Sequence, residues 1–203
     1  MTITGEVVKA VCPHCVDPEG WAAALDAAAT RFGISNAREQ AAWLAQIAEE
    51  SGELTRIEEN LSYSAQRLCA VFPTRFPTLE SANEYAHNPH GLADKIYGGR
   101  FGNSPTEGYF FRGRGPIQIT FRQNYQAFAD TTKLPGVVLC PDQLLTKTIG
   151  ALSAAWYWNV HRDNAFADAG QFDSVTRTIN AGMVGEAARE AYWAKSKSAL
   201  HVI

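Results

Sequence analysis

The feature that most constrains this chain is a helical periodicity cut into short lengths by glycine and proline. Apolar residues recur at about 3.6-residue spacing, and most periodic segments stop at one of those two residues. Trp21 to Phe32 reads as a helix ending at Gly33, and a second runs from Ala37 to Ser51 with Asn36 or Ser35 as its cap. Shorter helices are expected from Ser64 to Phe72, stopped by Pro73, from Leu79 to Ala86, and from Asn88-Pro89 to Gly98-Gly99. Arg122 to Thr131, Thr146 to Val160, Gln171 to Asn180 and Gly185 to Leu200 complete the set. Ile117-Gln118-Ile119-Thr120 is the clearest strand signal. The expected fold class is mainly α with a small β element.

With 203 residues, 46% of them hydrophobic, the chain has room for one substantial core or for two small lobes sharing a cleft. The net charge of -3, with Lys and Arg scattered, makes nucleic acid and anionic lipid poor partners. No apolar run approaches the roughly 18 residues of a membrane span, so no membrane insertion is expected. The opening MTITGEVVKAVCPHC lacks the basic start and apolar run of a signal peptide.

Four cysteines include the tetrapeptide Cys12-Pro13-His14-Cys15, which invites a redox or zinc reading. No β-α-β context surrounds it, and Cys69 and Cys140 stand singly rather than as a second paired knuckle. His87, His90 and His161 have no metal-ligand spacing. Mostly free thiols, no metal and no cofactor are expected.

On the second helix Trp43, Leu44 and Ile47 mark the apolar face, and Glu50 falls seven residues after Trp43, at the border of that face. Glu49 points away and reads as solvated. Desolvation disfavours a charged carboxyl, so Glu50 has the position of a proton donor. Glu59 follows nine residues later, beyond a turn at Gly52. Two carboxylates facing each other with room for a water, about 6.5 to 9.5 Å apart, suit inverting glycoside hydrolysis. A solvated acidic helix end is the plainer reading of the same spacing.

From Gly98 to Gly115 six glycines and Pro105 suggest a long loop. In Phe111-Arg112-Gly113-Arg114-Gly115-Pro116 the glycines permit close approaches, and an extended strand after them would set Gln118 and Thr120 on one face, near Asn124. An amide and a hydroxyl so placed can bind a sugar or orient a water; a polar surface hairpin is the alternative. Two arginines without a basic surround make a weak nucleic-acid signal, and no Gly-Lys-Ser/Thr phosphate loop is present.

Taken together, Ala45-Gln46-Ile47-Ala48-Glu49-Glu50-Ser51-Gly52, Glu59-Asn60-Leu61-Ser62-Tyr63-Ser64-Ala65, Ile96-Tyr97-Gly98-Gly99-Arg100-Phe101-Gly102-Asn103, Phe111 to Thr120 with Asn124-Tyr125, and Thr178-Ile179-Asn180-Ala181-Gly182 resemble the ordered motifs of glycoside hydrolase family 19. The Glu59 to Ala65 version resembles phage and bacterial endolysin-like members more than plant chitinases. The resemblance implies a lysozyme-like, two-lobed helical fold with the β element lining its cleft. It implies one catalytic domain over residues 1–203 without a separate wall-binding domain, and hydrolysis with inversion. Glu50 would be the general acid, Glu59 the general base, and Thr120 a holder of the attacking water. Gln118, Asn124, Tyr125 and Asn180 would bind sugar or support the site, with Arg189 as the family's late arginine. Tyr97, Phe110 and Phe111 border the glycine-rich loop as sugar-stacking candidates, whereas Trp156 and Trp193 read as core.

The chain departs from the family at Glu49, where a His is usual, at Glu53, where the family has a second Gly, and at Ala181 and Val184, the latter an acidic position in chitinases. A carboxylate at Glu49 would favour the protonated form of Glu50 further. The expectation is a monomeric endolysin cutting peptidoglycan glycan strands, held in the host cytoplasm and then acting in the periplasm or wall. Chitin hydrolysis and non-catalytic wall binding are the alternatives.

Overall fold

The computed structural model describes residues 2–202. α-Helix makes up 60% of the structure. Among the described residues the helices are α1 (Gly5–Val11), α2 (Pro18–Phe32), α3 (Ala37–Ser51), α4 (Ala65–Val71), α5 (Leu79–Asn83), α6 (Pro89–Tyr97), α7 (Arg122–Thr132), α8 (Gly136–Leu139), α9 (Lys147–Val160), α10 (Asp163–Asp168), α11 (Phe172–Ile179) and α12 (Glu186–Ala199). A 3-10 turn covers Pro141–Leu145. No described helix is long and apolar enough to cross a membrane.

The chain forms two compact units. The first comprises the residues up to Ile57, Arg114–Gln118, and those from Asp142 onward. Its centre is α3, whose residues Glu39 to Ala48 are all buried and which packs against α12, α10 and α11. The polar termini of this buried helix are satisfied locally. The Asn36 side chain accepts from the Arg38 and Glu39 N–H groups at 2.9 and 3.0 Å, and the Glu39 carboxylate accepts from the Asn36 N–H at 3.1 Å, a capping box. At the other end Gly52 takes a left-handed conformation, φ +53, which ends the helix just past Ser51 without the penalty a side chain would meet. The second layer pairs α2 with α9, and α1 packs on α2 and α12.

The second unit comprises Glu58–Gly113 and Ile119–Pro141. Its core is Leu61, Leu68, Phe76, Leu92 and Ile96, with Tyr63, Phe72, Tyr85, Tyr97 and Tyr109 packed around it. Gly108 passes so close to α6 that a Cβ there would lie 2.1 Å from the Ala93 carbonyl oxygen.

Two sequence expectations are corrected. Helices α1, α8 and α10 were not anticipated: each is too short for a period to register, and Thr4 caps α1 by accepting from the Val7 N–H at 3.3 Å. The strand at Ile117 to Thr120 is absent, and among the described residues β structure is confined to isolated bridge positions at Glu58, Arg114 and Ile119. Gly115 at φ +80 and Gln118 at φ +56 curl the segment into a turn closed by the Gln118 N–H donating to the Gly115 carbonyl at 3.0 Å. Alternation of side chains needs an extended backbone, so Gln118 and Thr120 do not share a strand face.

Candidate active site

Glu50 stands on the last turn of α3 in the first unit, at the negative end of the helix dipole, and that last turn carries no basic residue. The cation comes from α12. The Arg189 guanidinium donates to the Glu50 carboxylate and to the Gln46 side-chain oxygen, while its Nε reaches the Val184 carbonyl at 3.2 Å. The Gln46 amide in turn donates to the Thr176 hydroxyl of α11 at 2.9 Å. Arg189 is 2% exposed and Gln46 is fully buried. A buried guanidinium demands acceptors on several of its donors, and α3 and the turn before α12 supply them. Glu50 itself keeps 22% of its side chain exposed, so the brace leaves it open to a ligand.

The charge partner of Glu50 is therefore Arg189. Glu49, expected to be solvated, is half-buried instead, its carboxylate against Gly185, where a Cβ would meet it at 2.3 Å. Glu53 lies in the left-handed region, φ +63, and is 7% exposed. Burial raises its carboxyl, but hydrogen bonds from His14 and Tyr192 outweigh burial and hold it below the ordinary range. Those bonds are the His14 N–H at 2.8 Å, His14 Nδ1 at 2.6 Å and the Tyr192 hydroxyl at 2.9 Å. The Cys-Pro-His-Cys turn thus fastens onto the residues that follow α3. Burial pushes the Cys12 thiol up to about 12, the opposite of what a reactive thiolate requires.

In the second unit Glu59 sits between α6 and the Gly113 backbone. The Tyr97 hydroxyl donates to one carboxylate oxygen at 2.5 Å and the Gly113 N–H to the other at 3.1 Å, while the Glu59 N–H donates to the Gly113 carbonyl at 3.0 Å. Both glutamate oxygens are oriented by donors fixed to the unit's core. Burial, then the negative charge of Glu59, drives the Tyr97 phenol far above its ordinary range, so it stays a donor. Neighbouring Arg112 is 7% exposed and pairs with Glu58, and in the first unit Arg114 is 2% exposed and pairs with Asp142 at 2.7 Å. Both arginines of the glycine-rich motif serve internal ion pairs.

The remaining expected residues divide between the units. Thr120 is half-buried, and its carbonyl accepts from the exposed Asn124 amide at 2.8 Å, across the first turn of α7. Gln118 is half-buried in the first unit and its amide donates to the Gly115 carbonyl at 2.9 Å. Asn180 caps α11, and its side chain accepts from the Val184 N–H at 3.5 Å. Two of the expected site residues are interior. Tyr125 is fully buried, its hydroxyl donating to the Arg112 carbonyl at 2.9 Å, so it supports the glycine-rich motif from behind. Arg189 is likewise interior, an anchor for Glu50. Phe111 is fully buried too, whereas Phe110 is 43% exposed. Gln46 escaped the sequence reading. Its signal was an amide four residues before Glu50 on the same helix face.

No family model matches the chain. A Haemophilus influenzae protein described as a glycosyl hydrolase family 19 domain-containing protein is 34% identical over 189 residues, covering 91% of this chain and 90% of that one. An Arabidopsis thaliana endochitinase is 29% identical over 165 residues, 81% of this chain and 47% of the relative. Among solved structures, a bacterial family 19 chitinase superposes with a TM-score of 0.68 at 19% identity, over 100% of this chain and 97% of that one. Chitinase C from Streptomyces griseus gives 0.66 at 19% identity, over 98% and 92%. The two structures share the lysozyme-like helical fold with this protein. With a third of its residues identical to the Haemophilus protein over nine-tenths of both chains, this protein belongs to glycosyl hydrolase family 19.

Proposed function

We propose that this enzyme hydrolyses the β-1,4 glycosidic bonds of bacterial peptidoglycan with inversion, as an endolysin does. The observation that carries the reading is the pair of held glutamates: Glu50 braced by a buried arginine yet partly exposed, and Glu59 oriented through both oxygens. In this reading Glu50 gives its proton to the leaving glycosidic oxygen, and Glu59 takes one from the attacking water. Thr120 helps hold that water, and Gln118, Asn124 and Asn180 contact sugar or shape the site. Attack by water from the face opposite the leaving group turns a β linkage into an α product.

The test uses purified protein and Glu50→Gln on outer-membrane-stripped Gram-negative cells. Loss of a general acid is expected to slow lysis by on the order of 10²-fold or more; undiminished lysis by the variant overturns the assignment. Anomer-resolved NMR of early products checks the stereochemistry. The same reading has a monomer accumulate in the host cytoplasm and reach the wall once a separate membrane-permeabilising protein acts. Lysis on expression without such a protein contradicts that route.

A second reading, chitin hydrolysis, is favoured by the chitinases among the similar proteins. Reducing ends released from chitin oligomers, with none from peptidoglycan, would select it.

A further inference from the structure

The second unit carries an aromatic series that acid and base catalysis does not use. Phe101, in the glycine-rich loop, is 56% exposed. Its backbone lies at φ +44, and Phe121, which precedes α7, lies at φ +74. A bulky L-residue at positive φ is a genuine outlier, and such strain persists only where the surroundings enforce it. Here they do. The Phe101 carbonyl accepts from the Gln123 N–H at 3.0 Å, the Phe121 N–H donates to the Phe111 carbonyl at 2.9 Å, and buried Asn103 ties the Arg122 N–H to the Tyr97 carbonyl at 2.8 and 3.1 Å.

The rings form a continuous line to the base. The Phe121 ring meets Phe101 edge-on at 4.8 Å and Tyr97 edge-on at 5.2 Å, and the Tyr97 hydroxyl holds Glu59. The Arg100 guanidinium lies 5.5 Å from the Phe101 ring and 5.6 Å from Phe121, with one donor spent on the Ile96 carbonyl at 2.8 Å. A lone exposed phenylalanine is ordinary. One pinned in a strained conformation, two ring contacts from a held carboxylate and flanked by an arginine, is a built surface.

We propose that Phe101 is the stacking floor of a sugar subsite in the second unit, taking one N-acetylhexosamine ring of a glycan strand whose bond is cut at Glu59. A pyranose offers an apolar face of C–H groups and a polar edge. The exposed ring fits the face, and the further donors of Arg100 fit a hydroxyl or acetyl oxygen at the edge. This assignment rests on the hydrolytic reading for the identity of the sugar.

The experiment titrates the Glu50→Gln protein with chitotetraose and with a GlcNAc-MurNAc tetrasaccharide, followed by calorimetry and by NMR of the Phe101 ring. Ring resonances should move on binding, Phe101→Ala on that background should weaken binding about 3- to 10-fold, and Phe101→Trp should bind as well or better. Leu139→Ala, which removes another exposed apolar side chain of the same unit, should change nothing. Unmoved ring resonances, affinity indifferent to Phe101→Ala in a folded variant, or no binding of either sugar each overturns the subsite. Turnover by the wild type with Phe101-independent affinity sinks the subsite and spares the hydrolytic reading. Phe101-dependent binding with no turnover by the wild type does the reverse.

Discussion

A carboxylate that must give up and recover a proton each cycle has to be held in one rotamer, and Glu50 is held by a side chain that is itself held. Arg189 reaches it from α12, and Gln46, 143 positions away from Arg189 in sequence, fixes the guanidinium from α3. Removing the amide strands a buried cation donor and the Thr176 hydroxyl together. Gln46→Leu is expected to lower the unfolding free energy by about 1.5 to 3 kcal/mol, the range for hydrogen bonds to charged groups. Because Gln46 has no exposed surface to touch substrate, kcat should fall while KM stays in place. Denaturant unfolding with steady-state kinetics checks both, and a change confined to KM would refute the positioning role. Glu50 was legible in the sequence because its place on the helix face is a local property. The pairing was not: the resemblance offered Arg189 as a site residue, but nothing near Glu50 says that the two meet across 139 positions.

The elements that carry the site are legible where their caps are. Helix α3 runs between the bounds that its Asn36 cap and Gly52 stop imply, and its capping box lies at the end away from Glu50. Asn36→Ala removes the acceptor for two N–H groups and a bond to Asp168 at 2.8 Å. The expected cost is about 1 kcal/mol, a fall in thermal midpoint of roughly 2 to 4 °C with specific activity unchanged. Calorimetry beside a turnover assay decides it. The segment from Gly115 to Thr120 misled for an equally physical reason. Its alternation of apolar and polar residues is a strand pattern, but Gly115 and Gln118 turn the backbone through positive φ, and among the described residues no neighbouring strand supplies a ladder to straighten it.

At the scale of the molecule the stability of the fold is tied to pH through a group outside the site. Asp163 is fully buried, one of its oxygens accepts from the Thr178 hydroxyl at 2.8 Å and the other has no hydrogen-bond partner, and burial raises its carboxyl to about 6. The sign follows from which state binds the proton. At low pH both states are protonated. As pH rises the unfolded chain ionises first, so stability falls through the interval up to about 6 and is level above it. Asp163→Asn keeps the buried group neutral, and its advantage over wild type should grow across that interval to on the order of 1 to 3 kcal/mol. Unfolding measured from about pH 4 to about pH 7.5 tests this; a pH-independent difference would rule it out. Taken by itself, the sequence determined the longer helices, the mainly α class and the order of the glutamates, because periodicity, caps and motif spacing are all written within a few neighbouring residues. The tertiary structure decided what each polar group touches: that Arg189 and Tyr125 face inward, that His14 clasps Glu53, and that Phe101 stands exposed beside the ring that leads to Glu59. Burial and pairing depend on which distant segments meet, and a local pattern carries no record of that meeting.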